Sequence, residues 1–397
     1  VVNMAKKLEY KKAVLVICDG LTDRGVHTPL SEAHTPNMDC LASEGICGLM
    51  YSIAPGIVPG SDTAHLAILG GDPYREYPGR GPFEALGAGI ELEAGDVAFR
   101  ANFATINDKW EVLDRRAGRF GSRELAEALN IEIDGVRFIV KHTTEHRCAL
   151  VMRGAGLSKA ISDVDPHGPG RILESKALDN SDEAKKSSDV LNKFVTRSYE
   201  ILKAHQTPAN VLLTRGAGAF RNIQSLEERF GFRSFCVAGS ALYRGAAKYL
   251  GMDILKVEGA TGRVDTNLKA KADALLSNID RYDLAFVHIK ATDSKGHDGD
   301  WEGKKAFIER IDQEFIERVL DLDAYIVLTA DHSTPVAIRR HSSDPVAILM
   351  HGDGIRADQV EQFNEISCAQ GGLGRIRGVD LMPILADYMG YYKMYGV

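Results

Sequence analysis

Six residues of metal-ligand type fall at or just beyond apolar runs: Asp19, Asp293, His297, Asp331, His332 and His341. Carboxylates and imidazoles together suit Mn2+, Zn2+ or Fe, whereas Ca2+ takes oxygen ligands. Six protein donors are too many for one catalytic zinc, which keeps a position open. They are about right for two ions bridged by a nucleophile or a substrate oxygen, the arrangement used in two-metal phosphoryl transfer. Each piece is weak alone. A strand-end Asp is commonly a helix cap. The Asp293-x-x-x-His297 spacing puts both side chains on one helical face, yet such pairs are frequent by chance. Their convergence on one sheet edge carries the metal reading.

The segment Pro55 to Leu66 reads as a loop turning into a helix, with Ser61 near the helix N-terminus. Free N–H groups and the helix dipole favour an alkoxide or a phosphate there. Locally, Ser61 or Asp62 could equally be an N-cap. Thr63 is a rival nucleophile, and His65 is either a ligand or a packed, hydrogen-bonded side chain.

These residues need a scaffold that gathers them. Ala13–Cys18, Leu284–Ile289 and Tyr325–Thr329 are continuous apolar runs, and Val346–Met350 is a fourth. Such runs predict strands buried on both faces, as in parallel sheets. Helical patterns lie between, at Thr35–Glu44, Thr266–Leu276 and Trp301–Leu320. The expected fold class is α/β, a mostly parallel sheet flanked by helices, with ligands at the carboxyl ends of the strands. From Asp96 to Gly259 the strands are shorter and alternate, as in Val97–Phe103 and Arg137–Val140. This predicts an inserted smaller α+β domain over 98–259, serving as substrate-binding lid. The discontinuous metal-binding domain is then 1–97 and 260–397. Ser175–Ser188 is polar, a loop or helix start.

The chain has 397 residues and a formal net charge of −7. A mildly acidic chain without clustered Lys and Arg excludes a nucleic-acid binder. Anionic substrates must be met by charge gathered in a site. The six Cys form no CxxC pair, so reduced thiols in the cytoplasm are expected. No apolar run of signal-peptide length precedes Asp19, and none approaches a membrane span. Oligomeric state is not legible.

Several stretches carry a resemblance. Val16-Ile17-Cys18-Asp19-Gly20, Thr35-Pro36-Asn37-Met38-Asp39-Cys40-Leu41-Ala42-Ser43-Glu44-Gly45, Asp293-x-x-x-His297, Ala330-Asp331-His332 and His341 resemble the alkaline phosphatase superfamily. Pro59–Leu66, Gly79–Ala85 and Ser162-Asp163-Val164-Asp165-Pro166-His167 narrow it: the chain resembles the archaeal-type, 2,3-bisphosphoglycerate-independent phosphoglycerate mutases over essentially its whole length. That resemblance implies interconversion of 3-phosphoglycerate and 2-phosphoglycerate in glycolysis and gluconeogenesis, without added 2,3-bisphosphoglycerate. It implies a phosphoserine intermediate and two divalent ions, Mn2+ first, with Mg2+, Zn2+ or Co2+ as alternatives. By position, Ser61 matches the nucleophile and touches the metal held by Asp19, Asp331 and His332. Asp293, His297 and His341 match the ligands of the other ion. A phosphatase, or a transferase to another small hydroxyl acceptor, is the alternative on the same scaffold.

A glycerate carboxylate needs Arg or Lys, and its hydroxyls need an acid–base group. Asp165, His142 and His146 are the acid–base candidates. Arg147, Asp163, Arg215, Arg244 and Arg263 are candidates for binding substrate. Arg215 is expected in a Gly-rich turn after the strand Val211–Leu213. Arg80, in Gly-Arg-Gly, is expected to serve a turn.

Overall fold

A computed structural model describes residues 11–391, 394 and 396. The first ten residues, part of the stretch searched above for a leader, lie outside the described residues. The chain divides into two compact units, 1–77 with 224–397, and 78–223.

The first unit is α/β. Its eight-stranded sheet runs, edge to edge, Asp253–Ile254, Ser234–Val237, Leu284–Ile289, Ala13–Cys18, Tyr325–Thr329, Val346–His351, Ile46–Tyr51 and Gly374–Arg377. The three central strands are apolar and wholly buried because both sheet faces are covered. They are parallel, and Val346–His351 alone runs antiparallel to both its neighbours. With that one strand reversed the sheet is mostly parallel, as expected, although the continuous apolar run of Val346–Met350 resembled those of the parallel strands. Such a run shows burial, not direction.

The division places 224–259 differently from the expected boundaries. Ser234–Val237 and Asp253–Ile254 extend the first unit's sheet in parallel, so that segment belongs to the metal-binding unit. At the other boundary, the helix Arg80–Gly87 packs on Val97–Ile106 and Val211–Ala219 and goes with the second unit. Two- and four-residue strands are too short to show a parallel-sheet pattern in sequence.

The helix Pro36–Ser43 lacks a side-chain N-cap from Thr35. Instead the buried Asp312 carboxylate accepts from Met38 N at 2.7 Å and Asn37 Nδ2 at 2.8 Å. Asp312 opens a π turn, Asp312–Ile316, that interrupts the predicted Trp301–Leu320 helix. The Thr-Pro-Asn-Met motif is thus a capping device, with its acceptor supplied from far along the chain.

The second unit is α+β. Seven strands form an antiparallel sheet around Val97–Ile106, and the long helix Asp182–Ala204 packs its apolar face on it. Phe138 and Phe194 stack with centroids 4.2 Å apart in that core. Two local expectations change. The strand Val211–Ala219 includes Arg215, which therefore stands in the sheet, just before a bulge at Gly216, and not in a turn. Arg80 is the first residue of the helix Arg80–Gly87.

Candidate active site

Strand register explains the convergence of ligands. Cys18 is opposite Ile289, and Ile17 is opposite Thr329. Three neighbouring strands therefore end level, delivering Asp19, Asp293 and Asp331 to one edge. Close approach depends on Gly20, whose φ is +63°. A Cβ there would stand 2.6 Å from Thr334 Oγ1 and 2.8 Å from Asp293 Cα. Only glycine takes both that backbone and that spacing without strain.

Asp19, Asp331 and His332 form one donor group and Asp293, His332 and His341 a second; within each group the donor atoms lie within 4.8 Å of one another. His332 stands in both. His297, expected in the second set, has Nε2 at 3.3 Å from Asp293 Oδ1. Its helix, Ala291–Asp298, does put it on the same face as Asp293. His341 Nε2 is 3.6 Å from that same oxygen.

The imidazoles share one orientation device. His332 Nδ1 pairs with Thr334 Oγ1 at 3.1 Å, His341 Nδ1 with Pro59 O at 3.0 Å, and His297 Nδ1 with Arg339 O at 2.9 Å. With Nδ1 held in this way, each Nε2 is turned toward the carboxylates, where a neutral ring would offer its lone pair to a metal. His332 Nε2 then faces Asp331 Oδ2 at 3.1 Å and Asp19 Oδ1 at 3.5 Å. Those two carboxylate oxygens are buried and have no hydrogen-bond partner. Buried carboxylate oxygens without a hydrogen-bond partner are costly. A cation among them answers all three, so the donor set fits a divalent metal.

Ser61 opens the helix Ser61–Ile68, with Gly60 as its N-cap. Its Oγ lies 3.0 Å from His332 Nε2. Thr63 does not share this place: its hydroxyl donates to Gly60 O at 3.0 Å. His65 is fully buried, donates from Nδ1 to Ser61 O at 2.6 Å, and packs against Tyr243 and His288. It supports the helix turn that carries Ser61, and its Nδ1 is 3.6 Å from Asp331 Oδ2.

Four supporting residues escaped the sequence reading. Tyr243 Oη, His288 Nε2 at 3.1 Å and Lys290 Nζ at 3.1 Å all donate to Asp19 Oδ2. Lys290 also donates to Asp293 Oδ2 at 2.7 Å. Thr334 Oγ1 donates to Asp293 Oδ1 at 2.9 Å and so joins the two donor groups. Burial works against ionised Asp19 and Asp293, yet their cationic and imidazole neighbours hold both well below the usual carboxylate range. Burial lowers His288 to about 4, so it is neutral near pH 7. A lone His inside the apolar run Leu284–Ile289 was the available signal for this layer.

Beneath it, the fully buried Lys304 binds Thr22 O at 3.2 Å, Thr334 O at 3.0 Å and Asp23 Oδ2 at 3.3 Å. This ties the loop after Asp19 to the loop after Asp331. Lys304→Met is expected to lose about 3–5 kcal/mol of stability, because the Asp23 charge stays buried without its partner. Urea denaturation checks this, and a loss below about 1 kcal/mol would show that Asp23 finds another partner.

In the second unit, Asp163, Asp165 and Arg215 come together. Asp165 accepts two bonds from Arg115, at 2.9 and 2.6 Å, and lies 4.0 Å from Arg215. Asp163 accepts from Gly216 N at 2.8 Å and pairs with His167 at 2.9 Å. His142, His146 and Arg147 lie instead at the hairpin joining Val136–Thr144 to Arg147–Arg153. His142 Nε2 donates to Glu145 O at 2.7 Å, closing that hairpin. Burial, then Arg147 and Arg116, lowers His146 to about 4. Arg244 lies in the first unit on Ala241–Tyr249 and donates to Gly239 O at 3.2 Å; Arg263, exposed, pairs with Asp265 at 3.1 Å.

Burial raises the Asp165 pKa, but the Arg115 bonds and the His167 N–H prevail and leave it lowered. A carboxyl lowered on folding adds stability above its unfolded pKa of about 3.9, and that share is lost as pH falls through the folded value. Arg115→Gln is therefore expected to cost about 2 kcal/mol at pH 7 and far less at pH 2. Denaturation curves at the two pH values measure this; an equal cost at both would mean that Arg115 acts by packing.

The α/β sheet and the donor groups at its strand ends define a divalent-metal scaffold that presents a serine hydroxyl. Residues 42–208 match the family model for 2,3-bisphosphoglycerate-independent phosphoglycerate mutase. A mutase of that name from Methanococcus aeolicus is 47% identical, over 97% of this chain and 100% of its own. A solved Pyrococcus horikoshii protein is 36% identical with TM-score 0.83, covering 98% of this chain and 100% of its own. The solved cofactor-independent phosphoglycerate mutase from Thermoplasma acidophilum is 36% identical with TM-score 0.71, covering 96% and 100%. The chain belongs to the 2,3-bisphosphoglycerate-independent phosphoglycerate mutase family. Among the described residues, no helix is long and apolar enough to cross a membrane.

Proposed function

We propose that this chain interconverts 3-phosphoglycerate and 2-phosphoglycerate through a phosphoserine on Ser61, without 2,3-bisphosphoglycerate. The observation that carries this is Ser61 Oγ at a helix N-terminus, 3.0 Å from His332 Nε2, in a chain of this family.

Asp19, Asp331 and His332 would hold one divalent ion, next to Ser61, and Asp293, His297 and His341 the other, with Mn2+ the proposed metal. When bound, the ions offset charge on the transferring phosphoryl oxygens and favour the ionised serine hydroxyl. The chain's own part is positional. Ser61 Oγ forms a bond to phosphorus as the bond to the 3-oxygen of glycerate breaks. The 2-oxygen of glycerate then takes the phosphoryl group back, and Ser61 is freed. The N-terminus of Ser61–Ile68 favours the negative charge at both stages. Lys290 keeps the two ligand carboxylates charged and in place.

Retaining glycerate separates a mutase from a phosphatase, since water would otherwise hydrolyse the phosphoserine. Arg147, Asp163 and Arg215 of the second unit, with Arg244 and Arg263 of the first, are the proposed substrate contacts. Asp165, His142 and His146 are the proposed proton carriers, and Asp165 is favoured by its place beside Arg215. The enzyme is proposed to work in the cytoplasm, where the free cysteines stay reduced.

Incubation of the Mn2+-loaded protein with 3-phosphoglycerate, with no bisphosphoglycerate added, tests the reading. The expected product is 2-phosphoglycerate with little free phosphate. Phosphate release without 2-phosphoglycerate would make the protein a phosphatase.

A further inference from the structure

The helix Ser61–Ile68 has no capping side chain at its N-terminus, because residue 60 is glycine. Its first N–H groups therefore need an acceptor from elsewhere. Asp62, 9% exposed, supplies one: its Oδ1 accepts from Thr63 N at 3.0 Å. A Cβ on Gly60 would stand 2.5 Å from that oxygen, so the bare backbone before Ser61 makes room for the carboxylate. A negative charge in the first turn suits the helix dipole. It also stands one residue from the hydroxyl proposed to take a phosphoryl group, where a loose carboxylate would oppose an incoming anion.

What holds this carboxylate is Tyr77, whose Oη donates to Asp62 Oδ2 at 2.5 Å. Tyr77 follows a loop that is itself fastened at both ends. The chain leaves the helix at Gly70, whose O accepts from Arg229 Nη1 at 3.2 Å. Further on, the Glu76 carboxylate accepts from Nη2 of the same guanidinium at 2.7 Å and from Asp72 N at 2.8 Å. Tyr249 Oη donates to Glu76 O at 3.0 Å. The planar fork of Arg229 thus fixes the span from the end of the helix to the residue before Tyr77. The loop returns to the first turn of the helix and closes there on Asp62.

We infer that Tyr77, acting through Asp62, is a positioning residue for Ser61. Its hydroxyl holds the first turn in place and keeps the Asp62 carboxylate turned back on Thr63 N. Ser61 Oγ then stays at His332 Nε2, 3.0 Å away. A misplacement of about 1 Å can cost about 100-fold in rate, so one hydroxyl beside the nucleophile is enough to matter. The inference rests on the reading of Ser61 as nucleophile and adds Tyr77 and Asp62 to it.

Steady-state kinetics of the full-length, Mn2+-loaded protein test it. Tyr77→Phe and Asp62→Ala are each expected to lower kcat for 2-phosphoglycerate formation about tenfold, with KM within about twofold, because neither group is proposed to touch substrate. The double variant is expected to lose no more than about tenfold, since the two residues act as one device. A loss of packing alone would not split kcat from KM in this way. Without substrate, hydrogen exchange over Ser61–Ile68 should be about tenfold faster in Tyr77→Phe, with Ala13–Cys18 unchanged. Unchanged kcat and exchange in Tyr77→Phe overturn the inference. Losses that multiply to about 100-fold in the double variant show separate roles and overturn the coupling through Asp62. A parent that forms no 2-phosphoglycerate defeats the mutase reading, and exchange over the helix then still decides whether Tyr77 holds it.

Discussion

Ser61→Ala is expected to lower the rate of 2-phosphoglycerate formation by at least about 10^4-fold, the scale on which removing a nucleophile acts. The argument is geometric. Ser61 Oγ is 3.0 Å from His332 Nε2, and the neighbouring hydroxyl, Thr63, is turned away onto Gly60 O. No second hydroxyl on this helix turn can substitute. The fold should be indifferent to the change, because Gly60 and not Ser61 is the N-cap and no side-chain cap bond is lost. The melting temperature should therefore move little. Mass spectrometry after brief exposure to 3-phosphoglycerate should find phosphate on Ser61 in the parent and none in the variant. Full activity in Ser61→Ala would mean that phosphoryl transfer avoids this serine altogether.

Asp331→Asn should lower activity by about 10^3-fold or more, a scale set by loss of electrostatic stabilisation at the reacting group. Its effect on stability depends on the metal. Asp331 Oδ1 accepts from Gly20 N at 3.1 Å and His332 N at 3.0 Å, and an Asn oxygen can keep both bonds. Oδ2 is buried without a partner and faces His332. Without metal, the change removes a buried charged oxygen that has no hydrogen-bond partner, which offsets the lost attraction to His332, so the chelated variant should melt close to the chelated parent. With metal, the two separate. Binding at 100 times Kd adds about 2.7 kcal/mol to the parent, and the variant loses that share. Metal analysis should show two ions per parent chain and fewer in the variant. A variant that melts below the parent to the same extent with and without chelator would show Asp331 to be structural only.

Much of the first unit was legible because burial writes itself into composition. Ala13–Cys18, Leu284–Ile289 and Tyr325–Thr329 are unbroken apolar runs, as strands covered on both faces must be, and each stops at an acid or shortly before one. The Asp293-x-x-x-His297 spacing likewise needs only one helical turn. Ser61 was legible as a helix start but not as distinct from a cap. What separates it from Thr63 is the direction of two hydroxyls, and their partners, His332 and Gly60, are not both close in sequence. The second unit was less readable. Arg215 sits among glycines that suggest a turn, yet it is held in a strand by pairing with Val97–Ile106, a segment more than one hundred residues earlier.

By itself, the sequence determined which elements exist and which chemistry they can deliver: buried strands that end in acids, a helix opened by a serine, imidazoles at a few fixed spacings. Those are local consequences of side-chain burial and backbone geometry. Only the tertiary structure decided how they meet. Strand register set Asp19 and Asp331 level and started the helix that carries Asp293 at the same edge, and the bare backbone of Gly20 let them approach. His332 took a place in both donor groups, while Tyr243, His288, Lys290 and Thr334 were brought in to hold the carboxylates. The physical reason is that hydrogen bonds and Coulomb forces act over a few ångströms of space, and distance along the chain does not enter them.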